Sequence, residues 1–226
     1  MIRPPRTLIA GILATTILVT IIALVQRRPQ CADFAPDRIA YLEKAGWEAY
    51  YDRDWPRVLM LMVQMNRTQF CMSWLDATLA ALDIVRAAAA FAPIDNDVAA
   101  ATQHLTDFYA KARPAATLRT DPATLAALEM KYWVVHRELA MARQAAPHHD
   151  GDLTPMVAAL ENLHNALFDA PAAAIHRSAE RRAQAAATVD RITGGYSDNV
   201  AADWQAIEQL LQEAYRAVSP ASLASE

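Results

Sequence analysis

The sequence predicts an all-α protein in which one N-terminal transmembrane helix precedes a soluble bundle of about seven helices. Residues 8–25 form an apolar run of 18 residues with no charge and no proline. In most of the remaining chain, apolar residues recur three or four positions apart, which is the period of an amphipathic helix. Glycine is scarce, with 5 residues in 226, and no alternating run or Asn-Gly pair indicates a strand.

The apolar run from Leu8 to Val25 has the length of a membrane span. As a helix it extends roughly 27 Å, close to the ~30 Å hydrocarbon core of a bilayer. No A-x-A-like cleavage pattern follows it, and Cys31 stands in a polar context, so we expect an uncleaved anchor. The predicted organisation is a basic tail at 1–7, the anchor at 8–25, a linker at 26–35, the bundle at 36–219 and a frayed tail at 220–226.

The charges that flank this run do not fix its orientation. Arg3 and Arg6 lie on one side, and Arg27 and Arg28 lie on the other. We slightly favour an extracytoplasmic domain, because moving the charged N-terminal tail across the membrane would be costly. Lysine occurs 3 times against 18 arginines in an alanine-rich chain, a composition associated with bacteria. The predicted location is therefore the inner membrane of a bacterium, with the lipid bilayer as one partner.

Composition excludes some classes of protein. A net charge of −4 argues against a nucleic-acid binder, which needs a basic face. Two cysteines, Cys31 and Cys71, make neither a disulfide framework nor a metal cluster. A single bond between them requires an oxidising compartment. We interpret them instead as a lone thiol near the membrane and a buried helical residue.

The first half of the bundle is predicted from its proline and aspartate boundaries. Residues 36–53 have an apolar face, and Asp54 caps the segment that follows. Residues 57–92 are the most apolar part, with charges at Asp76 and Asp83, so we expect a central, mostly buried helix or a pair of helices broken near Asn66. A helix over 97–112 and a loop over 113–121 complete this half.

The second half shows regular packing seams. Thr120-Asp121-Pro122 opens a helix to residue 143, and Thr154-Pro155 opens one to residue 168. An alanine-rich helix reaches residue 193 before Gly194-Gly195, and the last helix covers 198–218. On the alanine-rich helix, a basic cluster is interpreted as a solvated face; its members are His176, Arg177, Arg181 and Arg182.

The strongest candidate site lies on the helix over 122–143. Glu129 and His136 are two turns apart, so both can face one cleft, with Trp133 and Tyr132 between them. Histidine titrates near neutral pH and also binds haem or metal. We therefore take His136 and Glu129 as the candidate catalytic residues, and His136, Trp133 and Tyr132 as the candidate cofactor-binding residues, although no cofactor is favoured.

Two further groups contain metal-ligand types. Glu161 and His164 have the i,i+3 spacing of di-iron bundles, but the chain offers one such motif where a di-iron site needs two. His148, His149 and Asp152 gather ligands in a polar loop, where adjacent side chains diverge. For both groups we prefer a structural interpretation to a metal site.

Two functions remain as hypotheses. The first is a non-enzymatic, membrane-tethered bundle that acts as an accessory, scaffold or interaction protein, with a protein partner or a second copy of itself. The second is a helical-bundle enzyme or ligand-binding protein for haem, metal or an apolar ligand, with His136 and Glu129 lining the site. The absence of a Gly-rich phosphate loop or a nucleophile motif favours the first.

Overall fold

The structure is a computed structural model that describes residues 19–27, 34–145 and 151–220. Residues 19–26 are helical, eight further helices follow, and no strand occurs in these ranges. The eight helices are α1 (Pro36–Tyr51), α2 (Trp55–Gln69), α3 (Trp74–Phe91), α4 (Val98–Ala116), α5 (Pro122–Ala145), α6 (Thr154–Leu167), α7 (Ala172–Thr193) and α8 (Val200–Ala217). The all-helical prediction is confirmed.

Helices α1 to α8 pack in the order in which they follow in the chain, and α8 returns to contact α1. Each one packs against the helix before it and the helix after it, and α1 packs against α8. Short connections make this possible, because adjacent helices joined by few residues fold back on each other. The chain therefore closes on itself and brings residues from distant parts of the sequence together.

The core follows the same path in four overlapping sections. One lies among α2–α5, a second joins α5, α6 and α7, a third joins α1, α7 and α8, and a fourth lies between α1 and α2. The predicted seam of α8 supplies Ile207 and Leu211, both fully buried. The seam of α5 supplies Leu125 and Tyr132.

The predicted anchor lies mostly outside the described residues, since these begin at residue 19. No helix in the described ranges is long and apolar enough to cross a membrane. The described end of the run presents its apolar side chains outward, with Val19, Ile21, Ile22 and Leu24 exposed.

Aspartate side chains cap the starts of α2 and α4, and the cap at Asp54 was predicted. The Asp54 carboxylate accepts a hydrogen bond from the Arg57 backbone N–H at 3.2 Å, and the Asp97 carboxylate accepts one from Ala100 at 2.9 Å. Each cap satisfies a backbone donor that the first turn of a helix leaves free. At the other end of a helix, Gly195 adopts a φ of +75° directly after α7, as its position predicted.

The apolar segment 57–92 is not a central buried helix. It divides at residues 70–73, where Cys71 has a φ of +59° and Ser73 caps α3 by accepting from Asp76 N–H at 3.1 Å. The division confirms the two-helix alternative, four residues later than Asn66. It also leaves one side of α3 uncovered, so the expectation of burial was wrong for that face.

Cys71 corrects a second expectation. It lies between α2 and α3 instead of inside a helix, and it is disulfide-bonded instead of a free thiol. The sequence offers Cys31 as its only possible partner within the chain, and Cys31 lies outside the described residues.

The helix predicted over 97–112 continues to Ala116, so the predicted loop is shorter than expected. Pro114 lies in its last turn, where it removes one backbone donor but leaves the preceding turns of the helix intact. The helix ends at Thr117, which adopts the left-handed conformation with φ +54°.

Candidate functional site

The predicted candidate His136 pairs with an aspartate from another helix. Its Nε2 atom lies 2.9 Å from Oδ1 of Asp190, which α7 contributes. The imidazole stacks on the ring of Tyr132, with centroids 5.8 Å apart and planes inclined by 13°. Asp190 thus favours the tautomer that carries hydrogen on Nε2 and fixes the orientation of the ring.

The second oxygen of Asp190 holds an arginine. Nη1 of Arg143 donates to Oδ2 of Asp190 at 2.6 Å, and both side chains are buried. A buried carboxylate needs such compensation because desolvation penalises its charge. His136 and Asp190 form a dyad, and Arg143 holds the second oxygen of the same carboxylate. We call the dyad together with Arg143 the dyad site.

Chemically, the dyad site resembles the base-and-orienter part of a catalytic triad. An imidazole held by a carboxylate can accept or donate a proton at its other nitrogen. The His136 side chain is a quarter exposed, so solvent reaches it. The hydrogen bond and the ring contact of His136 are with Asp190 and Tyr132, neither of which is a serine, cysteine or threonine nucleophile.

A second buried group joins three helices. Arg182 of α7 donates to Oε1 of Glu43 at 2.7 Å, and the hydroxyl of Tyr215 in α8 donates to Oε2 at 2.5 Å. Glu43 belongs to α1, so this group stabilises the contact between α1 and α8. The guanidinium of Arg182 also lies 5.5 Å from the centre of the Tyr132 ring, which connects this group to the dyad site. We call Glu43, Arg182 and Tyr215 the closing cluster.

Burial sets the protonation of the closing cluster. Desolvation and then the charge of Glu43 raise the pKa of Tyr215 well above its usual value, so the phenol stays protonated and donates. Burial alone would lower the pKa of Arg182, but Glu43 and neighbouring groups raise it well above its usual value. Arg182 therefore keeps its positive charge and Tyr215 keeps its proton over the physiological range.

Glu129, the other predicted catalytic residue, is engaged separately from His136. It accepts hydrogen bonds from the Tyr109 hydroxyl at 2.7 Å and from Nε1 of Trp133 at 2.9 Å. Burial first, then the charge of Glu129, raises the pKa of Tyr109. The hydrogen-bond partners of Glu129 and His136 differ, but the charge of Glu129 reaches Tyr132, whose ring stacks on His136.

The metal-ligand candidates are distributed over different environments. His148 and His149 lie outside the described residues, while Asp152 accepts a hydrogen bond from the Thr154 backbone N–H at 2.9 Å. Glu161 contacts His176 on α7, and His164 is buried against the ring of Phe168. In the part of the chain that the structure describes, no group of three histidine, cysteine, aspartate or glutamate residues could hold a metal ion.

His164 has a strongly lowered pKa. Desolvation, and then the positive charge of Arg182, lowers its pKa to about 3. Its Nδ1 atom is buried without a hydrogen-bond partner. This histidine is therefore neutral and acts as an apolar packing residue near neutral pH.

Sequence reasoning missed Asp190, Arg143, Glu43 and Arg182. Arg182 was expected on a solvated face, but α1 and α8 cover that part of α7 and pair the charge. The available signal was a charged residue at an otherwise apolar helix position, as for Asp190 beside Val189 in the alanine-rich seam. No family model matches the chain, and no curated protein or solved structure is significantly similar to it.

Proposed function

We propose that this chain is a membrane-tethered interaction protein that holds a partner protein near a bacterial inner membrane through the outer side of α3. The observation that carries the proposal is that small side chains of this helix face the core and large apolar side chains face solvent. Small alanines face the core, including Ala77, Ala80 and Ala81, all fully buried. Large apolar side chains face solvent, and we call these the α3 face: Trp74, Leu75, Leu79 and Val85.

The four side chains of the α3 face lie on one side of the helix, which also carries Thr78 and Arg86. At 100° per residue, the four positions fall within roughly 140° of the helix circumference. Adjacent residues show the contrast, since Leu79 is 42% exposed and Ala80 is 0% exposed. Contiguous exposed apolar side chains on a folded domain are typical of protein-binding surfaces. The guanidinium of Arg67 lies 4.0 Å from the Trp74 ring centre and gives this surface a polar edge.

The tether is supported by the sequence of residues 8–25 and by the outward apolar side chains of residues 19–24. A helix with apolar side chains around its circumference needs an apolar environment, which a bilayer supplies. We propose that this run is a single span and that the helical domain stands beside the bilayer.

The compartment is supported by Cys71. Disulfides persist in the bacterial periplasm and are reduced in the cytosol. Because Cys71 is disulfide-bonded, we propose the extracytoplasmic side for the domain. This argument is independent of the flanking arginines, which leave the orientation open.

Two measurements on cells that express the full chain test the tether and the side. We expect the protein to stay in the pellet after alkaline carbonate extraction of membranes. We also expect protease to degrade the domain in spheroplasts but not in intact cells. Release by carbonate would contradict the tether, and protection in intact spheroplasts would contradict the side.

Glutamate substitutions test the partner surface. We expect Leu79→Glu to shift the protein to a smaller species on native gels of detergent-solubilised membranes, because a charge on the α3 face opposes apolar association. Ala127→Glu is the matched control, since residue 127 is also exposed and helical but lies on α5. Equal migration of wild type and both variants would contradict the proposal.

The dyad site favours a second candidate function. An oriented, solvent-accessible His136 beside Asp190 suits proton transfer or ligand binding in a helical-bundle enzyme. A stoichiometric chromophore or metal in the purified protein that is lost in His136→Ala would support this function. A colourless, metal-free protein with an unchanged stability in His136→Ala would oppose it.

A further inference from the structure

The side chain of Arg143 presents an unused binding edge inside the protein. Arg143 is 6% exposed, and only its Nη1 atom is engaged, with Asp190. Its Nε and Nη2 atoms are buried without a hydrogen-bond partner. Buried N–H groups without acceptors are costly, and most folded proteins satisfy nearly all of them.

We propose that this Nε/Nη2 edge of Arg143, together with the hydroxyl of Tyr196, binds the carboxylate group of a ligand. Nε and Nη2 lie on the same side of a guanidinium and project two parallel N–H bonds. This geometry matches the two oxygens of a carboxylate. The free edge points to a planar anion as the missing partner.

The same edge holds carboxylates elsewhere in this chain. Arg216 donates from Nε and from Nη2 to the two oxygens of Asp37, at 2.8 Å each. Arg191 donates from the same two atoms to Asp203, at 3.1 and 2.5 Å. The two internal examples show the contact that Arg143 lacks.

Tyr196 contributes a second unsatisfied donor near Asp190. Its hydroxyl is buried without a partner. Its ring packs over the end of α7, because a Cβ on Gly194 would clash with Cε1 of Tyr196 and would meet the Asp190 carbonyl oxygen at 2.9 Å. Burial, followed by the charge of Asp190, raises the pKa of Tyr196, so the phenol is protonated and able to donate.

The surrounding charges favour a monoanion. Asp190 compensates one positive charge, and Arg191 is already paired with Asp203. A phosphate dianion would need more positive charge than Arg143 supplies beside Asp190. The ligand class is therefore a carboxylate, supplied either by a small organic acid or by the C-terminus of a peptide.

Titration of the full chain in detergent tests the site. The probes are acetate, succinate, inorganic phosphate and a short peptide with either a free or an amidated C-terminus. We expect saturable binding of a carboxylate, read from the ¹⁵Nε resonance of Arg143 and from calorimetry. Preference for acetate identifies a small free acid, whereas binding of only the free-terminus peptide identifies a C-terminal carboxylate.

Three variants make the result specific. We expect Arg143→Lys to weaken binding about tenfold, because an ammonium lacks the planar edge, and Tyr196→Phe to weaken it several-fold. Arg216→Lys is the matched control and should bind as wild type, since Asp37 occupies its edge. Tyr196→Phe keeps the ring, so it decides the outcome if Arg143→Lys does not fold.

Two results would overturn the carboxylate site. One is no saturable change of the Arg143 resonance with any carboxylate at tens of millimolar. The other is phosphate binding more tightly than every carboxylate, which would assign a different anion. Neither result bears on the membrane tether or the α3 face.

Discussion

At the scale of single residues, the fold depends on charges that are buried in pairs. Glu43, Asp190 and Arg143 are each less than a tenth exposed, and each has a charged partner. Removal of one member leaves the other without compensation in a low-dielectric interior. The sequence predicted His136 as important but could not predict Asp190 as its partner, because 54 positions separate them and only the packing of α5 near α7 joins them.

The closing cluster should be more sensitive than a surface pair. We expect Glu43→Gln to lower the free energy of unfolding by about 3 kcal/mol, because Arg182 loses its buried counter-charge. Asp169→Asn is the control, since Asp169 pairs with Arg119 at the surface and its loss should cost less than about 1 kcal/mol. Urea denaturation of the three proteins gives both values. Equal losses would show that the closing cluster is not a buried charge pair.

His164 should make stability depend on pH. The pKa of His164 is about 3 in the folded state and about 6.5 in the unfolded state. Between these values the unfolded state binds a proton that the folded state does not bind. Stability from this group is complete above pH 6.5 and declines as the pH falls towards 3.

Between pH 7 and 5 the loss from His164 should be about 2 kcal/mol. His164→Leu should remove that part of the decline, while the exposed His176→Gln should retain it. Denaturation curves at the two pH values measure the difference. An equal decline in wild type and His164→Leu would contradict a buried neutral histidine.

At the scale of elements, most boundaries followed from local chemistry. The caps at Asp54 and Asp97 and the glycine after α7 act within a few residues, so the sequence contained their causes. The exact division between α2 and α3 could not be predicted from local sequence, because it involves the backbone of Cys71 and a disulfide bond. Bonding partners that are far apart in sequence leave no periodic signal.

The orientation of α3 could not be predicted from periodicity either. A helix that is apolar over most of its circumference gives no clearly preferred buried face, and burial of its alanines depends on how closely α2 and α4 approach. The same ambiguity made the exposed α3 face look like core in the sequence.

Adjacent substitutions test this orientation. We expect Leu79→Ala to change the free energy of unfolding by less than about 0.5 kcal/mol, because that side chain lies in solvent. Ala80→Leu should cost about 1–3 kcal/mol, because it adds volume to a filled interior. Thermal or urea denaturation of the detergent-solubilised chain gives both numbers. The reverse order would place the leucines inside.

At the scale of the whole molecule, contact between the first and last helices defines the domain. Ile39 of α1 packs in the same section of core as Ile207 and Leu211 of α8. The prediction of an antiparallel bundle anticipated sequential neighbours, but not this closure, since contacts between chain ends have no local signature.

Closure predicts cooperative unfolding. We expect Ile207→Ala to cost about 2–5 kcal/mol and to lower the unfolding midpoint of every probe together, because α8 connects both ends of the core. Fluorescence of Trp47 in α1 and hydrogen exchange in α4 would report on distant regions. Loss of α1 and α8 in a separate transition would show that the ends are not coupled to the rest.

The most direct test of the central claim is a photo-crosslinking amino acid placed at position 79 of the full chain in intact cells. We predict one discrete crosslinked product that contains a membrane-associated protein of defined identity and that disappears when Leu75→Glu is added. The same crosslinker at position 127 should give no such product. Absence of a product at position 79, or identical products at both positions, would contradict a partner-binding α3 face.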